Sequence, residues 1–208
     1  MFTGIIEEVG QISTITKSND RKTISILAPK IASKVSSGDS IAVDGACLTV
    51  TGTTHNTCTA DAIEETLNRT IIADYQTGRR VNLETSLTLQ KNISGHLVQG
   101  HVDATGTVTA MTQRNELEIA FPPDLAHFLA LKGSITINGV SLTISGLEDT
   151  TFKVSLIPLT LRETNLGGLK KGARVNLEVD LIARYIERTI REKEEQSKYQ
   201  FLKERNII

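Results

Sequence analysis

The strongest constraint on this chain is that it repeats itself. Gly78-Arg79-Arg80-Val81-Asn82-Leu83-Glu84 returns ninety-four residues later as Gly172-Ala173-Arg174-Val175-Asn176-Leu177-Glu178. The same offset carries Gly45-Ala46-Cys47-Leu48-Thr49-Val50 onto Gly139-Val140-Ser141-Leu142-Thr143-Ile144, and Glu65-Thr66-Leu67 onto Leu159-Thr160-Leu161. Near the start the offset is ninety-six: Gly4-Ile5-Ile6-Glu7 matches Gly100-His101-Val102-Asp103, and Gly10 matches Gly106. Anchors kept in one order imply two copies of one domain, fused head to tail. Each copy is long enough to bury a modest core. Two copies make two similar pockets, which suits a protein that holds two similar molecules.

Within each copy the pattern reads as strands. Ser40–Asp44 and Ser134–Asn138 alternate and end at Asp-Gly and Asn-Gly turns, so Cys47–Thr51 and Ser141–Ser145 complete two hairpins. Thr57–Ile63 and Phe152–Ile157 supply another strand per copy, and Arg80–Glu84 and Arg174–Glu178 the last. Ala28–Ala32 and Pro122–Ala126 open short helices, with proline in the first turn. Short strands with regular turns predict a small closed barrel in each copy, over 1–94 and 95–179. In the tail, 180–208, Leu181, Ile182, Tyr185, Ile186 and Ile190 fall at helical spacing. That stripe serves either packing on its own barrel or self-association. Ile207-Ile208 carries no readable pattern.

The formal net charge is -1, so nothing favours nucleic acid or an anionic membrane. No apolar run has transmembrane length, and the first residues lack the marks of a signal peptide. Cys47 and Cys58 sit in one copy opposite Ser141 and Phe152, which is no disulfide framework and fits a reducing cytoplasm.

Cofactor and nucleotide motifs are absent. His96 and His101 lie five apart without a carboxylate or cysteine cluster, so no metal site is expected. His55 and His127 read as surface or structural. The chemistry is sought instead at equivalent positions. Cys47 and Ser141 share one hairpin site, and Thr49 and Thr143 follow on the same strand face. Small polar residues after a turn often only satisfy backbone groups. Their recurrence in both copies favours a ligand role. A thiol ionises near pH ~8.5 and a serine hydroxyl does not, so two near-identical pockets would treat identical ligands differently. Gly4 and Gly100 mark turns where backbone approaches a flat ligand or merely reverses. Lys132 reads by default as solvated, and Asp180 as a helix N-cap.

These residues resemble the riboflavin synthase family over essentially the whole chain. The similarity rests on Met1-Phe2-Thr3-Gly4-Ile5-Ile6-Glu7, the Gly45–Val50 block, Gly95-His96-Leu97-Val98-Gln99-Gly100-His101-Val102-Asp103, Gly139–Thr143, and Leu156–Leu161. Asn138 stands where the family often has aspartate, keeping the turn and losing a charge; Leu159 replaces a polar residue. The resemblance implies a mainly β protein: two tandem six-stranded Greek-key barrels plus a C-terminal α-helix. It implies a transferase that dismutates two molecules of 6,7-dimethyl-8-ribityllumazine. One receives a four-carbon unit and becomes riboflavin; the other becomes 5-amino-6-ribitylaminopyrimidinedione. It implies no metal or organic cofactor, no nucleic acid and no membrane. A homotrimer is expected, with sites between subunits and tail helices associating; lumazine synthase is a candidate partner.

By the same resemblance Lys132, Ser141, Leu142, Thr143, the run Ile157, Pro158, Leu159, Thr160, Leu161 and Arg162, and Asp180 belong to the C-terminal pocket. Gly4, Ile5, Ile6, Cys47, Leu48, Thr49, the run Asp61, Ala62, Ile63, Glu64, Glu65 and Thr66, and Gly100, His101 and Val102 form the N-terminal pocket or its rim. Cys47, His101, Ser141 and Asp180 are the catalytic candidates. His101 is the proton-transfer candidate because imidazole titrates near neutrality, and Ser141 or Asp180 would polarise it or a water. The Cys47/Ser141 asymmetry would decide donor and acceptor. The free N-terminus is expected to matter, since Phe2 and Thr3 adjoin the ligand motif. The competing readings are a non-catalytic lumazine carrier on the same fold, a flavin reductase domain, whose Arg-x-Tyr-Ser/Thr signature is missing, and a ligand-free tandem barrel.

Overall fold

A computed structural model describes residues 1–18 and 21–204; Ile207 and Ile208 lie outside them. The first repeat forms β1 (Glu8–Lys17), β2 (Arg21–Leu27), α1 (Pro29–Ala32), β3 (Ser40–Val43), β4 (Ala46–Thr53), β5 (Thr57–Ile63), α2 (Glu64–Arg69) and β6 (Arg80–Thr85). The second forms β7 (Ala104–Met111), β8 (Glu116–Ala120), β9 (Ser134–Ile137), β10 (Val140–Leu147), β11 (Thr151–Ser155), α3 (Pro158–Glu163) and β12 (Arg174–Val179). Both sheets close, in the orders β1-β2-β5-β4-β3-β6 and β7-β8-β11-β10-β9-β12. All twelve strand pairings are antiparallel. Closure removes exposed strand edges. A small barrel needs strands that bend, and β-bulges supply the bends. They recur at equivalent points: Ile12/Thr14 and Val108/Ala110, then Val50/Gly52 and Ile144/Gly146.

Alternation fills each barrel. Ile24, Ile26, Ile41, Val43, Leu83 and Ala60 face one core, and Leu117, Ile119, Ile135, Ile137, Leu177 and Val154 face the other. Within the second repeat the proline-led segment is a 3-10 helix, Pro123–Phe128, rather than an α-helix.

The two barrels meet back to back through their hairpin turns. A Cβ on Gly45 would stand 2.7 Å from the Gly139 nitrogen, and one on Gly139 would stand 2.8 Å from that of Gly45. Both glycines also have positive φ, so no side chain is tolerated there. Around them lies a reciprocal amide network. Asn82 Nδ2 donates to Asn138 O at 2.9 Å, and Asn176 Nδ2 donates to Asp44 O at 2.8 Å. Asn82 Oδ1 accepts from Asn165 N, and Asn176 Oδ1 from Ile71 N. These side chains are buried, yet each finds partners, as buried polar groups must.

The tail is a helix, α4 (Leu181–Glu204). Asp180 caps it, its Oδ1 accepting from Ile182 N at 2.9 Å. The apolar stripe is left largely open: Ile182, Tyr185, Ile186 and Ile190 are all more than half exposed, with Ile186 and Ile190 lining a groove against residues 127–130 of the second barrel. Among the described residues no helix is long and apolar enough to cross a membrane.

Candidate functional site

Two clefts occupy equivalent places on the two barrels. The first, about 270 Å³, is lined by Cys47, Glu65, Thr66, Gly100, His101 and Val102, with Ala46, Arg69 and Thr70. The second, about 520 Å³, is lined by Ile5, Lys132, Ser141, Leu142, Thr143, Ile157 and Thr160, with five further small residues that include Ser94 and Gly95. Each cleft therefore has a floor from its own hairpin and a lip from its own short helix, α2 or the start of α3. Its remaining wall comes from the other repeat.

That exchange differs from the expected grouping. The family resemblance implies Gly4 and Ile5 at the N-terminal pocket or its rim, with Cys47. In the fold Gly4 O accepts from Ser141 N at 2.8 Å, so the N-terminal segment crosses to the second barrel. Gly100 O accepts from Cys47 N at 2.8 Å, so the second repeat's segment crosses to the first. Both glycines have positive φ, and a Cβ on either would stand 2.5–2.6 Å from the Cβ of Ser141 or Cys47. Only glycine lets the backbone come this close.

The crossing segments are anchored by buried acids from the repeated strand ends. Glu84 accepts from Thr3 N at 2.8 Å, Thr3 Oγ1 at 2.7 Å and Gly4 N at 2.9 Å. Glu178 accepts from Gln99 N at 2.7 Å and Gly100 N at 3.0 Å. Phe2, fully buried, packs with Ala42 and Val98, with Cys47 alongside, and bridges to Val98 in an antiparallel step.

The two clefts differ in chemistry. In the first, the Cys47 thiol shares the cleft with His101, which is exposed. In the second, Ser141 Oγ lies 2.7 Å from His96 Nδ1, and His96 Nε2 lies 3.2 Å from Thr136 Oγ1. Burial holds the His96 imidazole below its ordinary value, and the nearby Asp180 charge opposes that. At the place of Thr136 the first repeat has Ala42, so Cys47 has no such relay beneath it. His96, which in the sequence belongs to the Gly95–Asp103 motif but not to the expected site residues, is thus the neighbour of Ser141. Within one chain His101 and Ser141 belong to different clefts.

Lys132 adopts φ +68 where the first repeat has Gly38 at φ +97. A left-handed conformation costs a non-glycine residue on the order of 1 kcal/mol. Lys132 accepts that conformation on the rim of the second cleft. The remaining candidates are less central. Leu48 and Ala62 are buried in the first core, and Ile6 and Leu161 pack on the second. Thr49 pairs with Asp61 across β4 and β5, and Asp61 accepts from Thr23 Oγ1. Ile63 and Leu159 project outward, Glu64 and Pro158 are exposed, and Arg162 pairs with Glu163.

Comparison with known proteins agrees with this geometry. Residues 3–86 and 99–180 each match the lumazine binding domain. The riboflavin synthase of Actinobacillus pleuropneumoniae is 44% identical over 196 residues, covering 93% of this chain and 91% of that protein. That of Bacillus subtilis is 43% identical over 191 residues, covering 90% and 89%. Among solved structures, LumP complexed with 6,7-dimethyl-8-(1'-D-ribityl) lumazine superposes with a TM-score of 0.78 at 30% identity, covering 86% of this chain and 99% of that one. LumP complexed with riboflavin superposes with a TM-score of 0.79 at 31% identity. With two lumazine binding domains and relatives of this identity along nearly its whole length, the chain belongs to the riboflavin synthase family.

Proposed function

We propose that the chain is a transferase that dismutates two molecules of 6,7-dimethyl-8-ribityllumazine into riboflavin and 5-amino-6-ribitylaminopyrimidinedione. The observation that carries this reading is the pair of equivalent clefts with unequal chemistry, one thiol-lined and one with a hydroxyl backed by a half-buried imidazole. Identical substrates need similar binding walls, while their opposite roles as donor and acceptor need different reactive groups. The reaction balances in atoms and electrons without water, oxidant or reductant, so the two bound molecules are the whole of the chemistry. Holding both in register replaces a bimolecular encounter, an advantage on the order of several kcal/mol.

Cys47 and His101 act on one substrate; Ser141, Lys132 and Asp180 act on the other. The clefts of one chain open separately, so the two reactants meet when the first barrel of one subunit faces the second barrel of another. The exposed stripe Ile182, Tyr185, Ile186 and Ile190 on α4 supports such self-association, as a homotrimer. Both cysteines are free, which suits the cytoplasm.

The test is to incubate the purified, untagged chain with the ribityllumazine alone and quantify both products by chromatography. Equal amounts of the two products, each half the substrate consumed, support the proposal. Tight binding without conversion would make the chain a carrier and overturn it.

A further inference from the structure

Both walls that cross between repeats are fastened by one design, and its last component is a cation from outside the barrels. Beside each buried glutamate stands a second acid from the crossing segment itself. Glu7 Oε1 accepts from Thr85 N at 3.0 Å and Thr85 Oγ1 at 2.6 Å. Its counterpart Asp103 accepts from Val179 N at 2.9 Å. These second acids tie each crossing segment back to the end of β6 or β12. Two acids side by side repel, and cations offset this: Lys34 Nζ lies 2.7 Å from Glu7 Oε2, Lys91 bridges Glu7 and Glu84, and Arg184 bonds Asp103 beside Glu178. Lys91 Nζ lies 2.8 Å from Glu7 Oε1, 3.1 Å from Glu84 Oε1 and 3.2 Å from Thr85 O. Arg184 Nη2 lies 2.9 Å from Asp103 Oδ1 and 3.0 Å from Oδ2. In each repeat the cation comes from the segment that follows the last strand: Lys91 from the connection between barrels, Arg184 from α4.

We propose that Lys91 and Arg184 are pocket-specific positioning residues. Arg184 fixes the Gly100–Val102 wall over Cys47, and Lys91 fixes the Gly4–Ile6 wall over Ser141. Exposed ion pairs commonly contribute little. These differ because the acids they serve are partly or fully buried, already hold backbone amides, and repel one another if left uncompensated. Charge-assisted bonds of this kind are also the strong ones. The two latches are not equal. Burial pushes Glu178 up to about 7, with the Gln99 and Gly100 amides and Arg184 opposing and Asp103 adding to the rise. Glu7 is also partly buried, but its bonds to Lys34, Lys91 and Thr85 outweigh that and hold it at about 2. A further consequence concerns α4. The helix that offers the exposed apolar stripe for association also carries Arg184, and so holds one wall of the Cys47 cleft. That these walls face substrate rests on the function proposed above; their attachment does not.

Hydrogen–deuterium exchange on the full chain tests this without reference to turnover. In Arg184→Met, exchange in the peptide containing Gln99–Asp103 should accelerate about tenfold, while that containing Thr3–Glu7 stays unchanged. Lys91→Met should do the reverse, so each peptide is the other's control for folding. Alkylation of Cys47 by iodoacetamide should accelerate in Arg184→Met alone, since Cys58 is buried. Arg184→Lys, which keeps the charge but not the guanidinium, should accelerate exchange less than Arg184→Met does. Asp103→Asn removes the pair and one of the two repelling acids together, so it should accelerate exchange in that peptide less than Arg184→Met does. Coincident acceleration of both peptides in either variant, or no acceleration in either, would overturn the assignment. So would equal behaviour of Lys and Met at position 184.

Discussion

Asp44→Asn should stabilise this protein at neutral pH and not at acid pH. Asp44 is fully buried at the junction of the barrels. Its Oδ1 accepts from Asn82 N at 2.8 Å and Asn165 Nδ2 at 2.8 Å, and its Oδ2 from Tyr75 OH at 2.7 Å. Burial nevertheless pushes its carboxyl up to about 6 from 3.8, against those bonds and the charge of Arg79. A raised carboxyl means that the fold binds the proton more tightly than the unfolded chain does. The resulting penalty is absent below pH ~4 and complete above pH ~6, and at about 1.4 kcal/mol per unit it amounts to about 3 kcal/mol. Asparagine resembles the protonated acid. One Nδ2 hydrogen can donate to Tyr75; the other is left unpaired and costs about 1 kcal/mol. The expected gain at pH 7.5 is therefore about 2 kcal/mol, or roughly 4–8 °C in Tm. At pH 4 the variant should be slightly less stable than the parent. Scanning calorimetry at fixed protein concentration across pH 4–7.5 reads the difference directly. The second repeat supplies the reciprocal control, because Asn138 occupies the same turn and Leu169 stands where Tyr75 would be. Asn138→Asp should lose stability at neutral pH and regain it by pH 4. A Tm difference between Asp44→Asn and parent that does not change with pH would refute the reasoning.

Three further outcomes follow from the site. Cys47→Ser should lower kcat by about tenfold or more while changing lumazine affinity by less than about threefold, since the hydroxyl fills the same space but does not ionise usefully; near-normal turnover removes the thiol from the chemistry. Lys132→Gly should leave Tm unchanged or slightly raised, because it relieves the left-handed strain, while weakening ligand binding in titration calorimetry. A residue added before Met1 should abolish little stability but much activity if it displaces Phe2, whose ring is buried beside Cys47; full activity with a tag would contradict that placement.

The repeat made the architecture legible, and the hairpins and last strands of each barrel follow from plain alternation. The first two strands of each repeat did not show. In β1 the inward residue before Ile12 is Gly10, which gives no apolar mark, and the bulge between Ile12 and Thr14 shifts Ile15 off the two-residue period. The bulge in β7 hides Val108 and Met111 in the same way. Helices α2 and α3 have six residues and bury none, so no helical stripe exists to read. The clefts were half legible. Cys47 and Ser141 stand out as equivalent positions, but nothing local tells a segment to cross to the other barrel, so the contact of Gly4 with Ser141 is not legible. Glu84 and Glu178 did leave a signal. An acid that follows the alternating Val-Asn-Leu run at the end of a strand, in both copies, marks a position where the strand enters the core and the acid must find partners. Lys91 and Arg184, which complete those partnerships, lie outside the repeated motif and carry no mark of it.

The claim that most needs testing is that two unlike clefts from different chains perform one reaction. Chains carrying Cys47→Ser and chains carrying Ser141→Ala, each impaired alone, can be mixed, dissociated and reassociated, and assayed for riboflavin. Recovery of activity well above the sum of the two parents is expected, because some assemblies then pair an intact first barrel with an intact second barrel from another subunit. Activity that stays at that sum, with mixed assemblies confirmed by mass, would contradict the account.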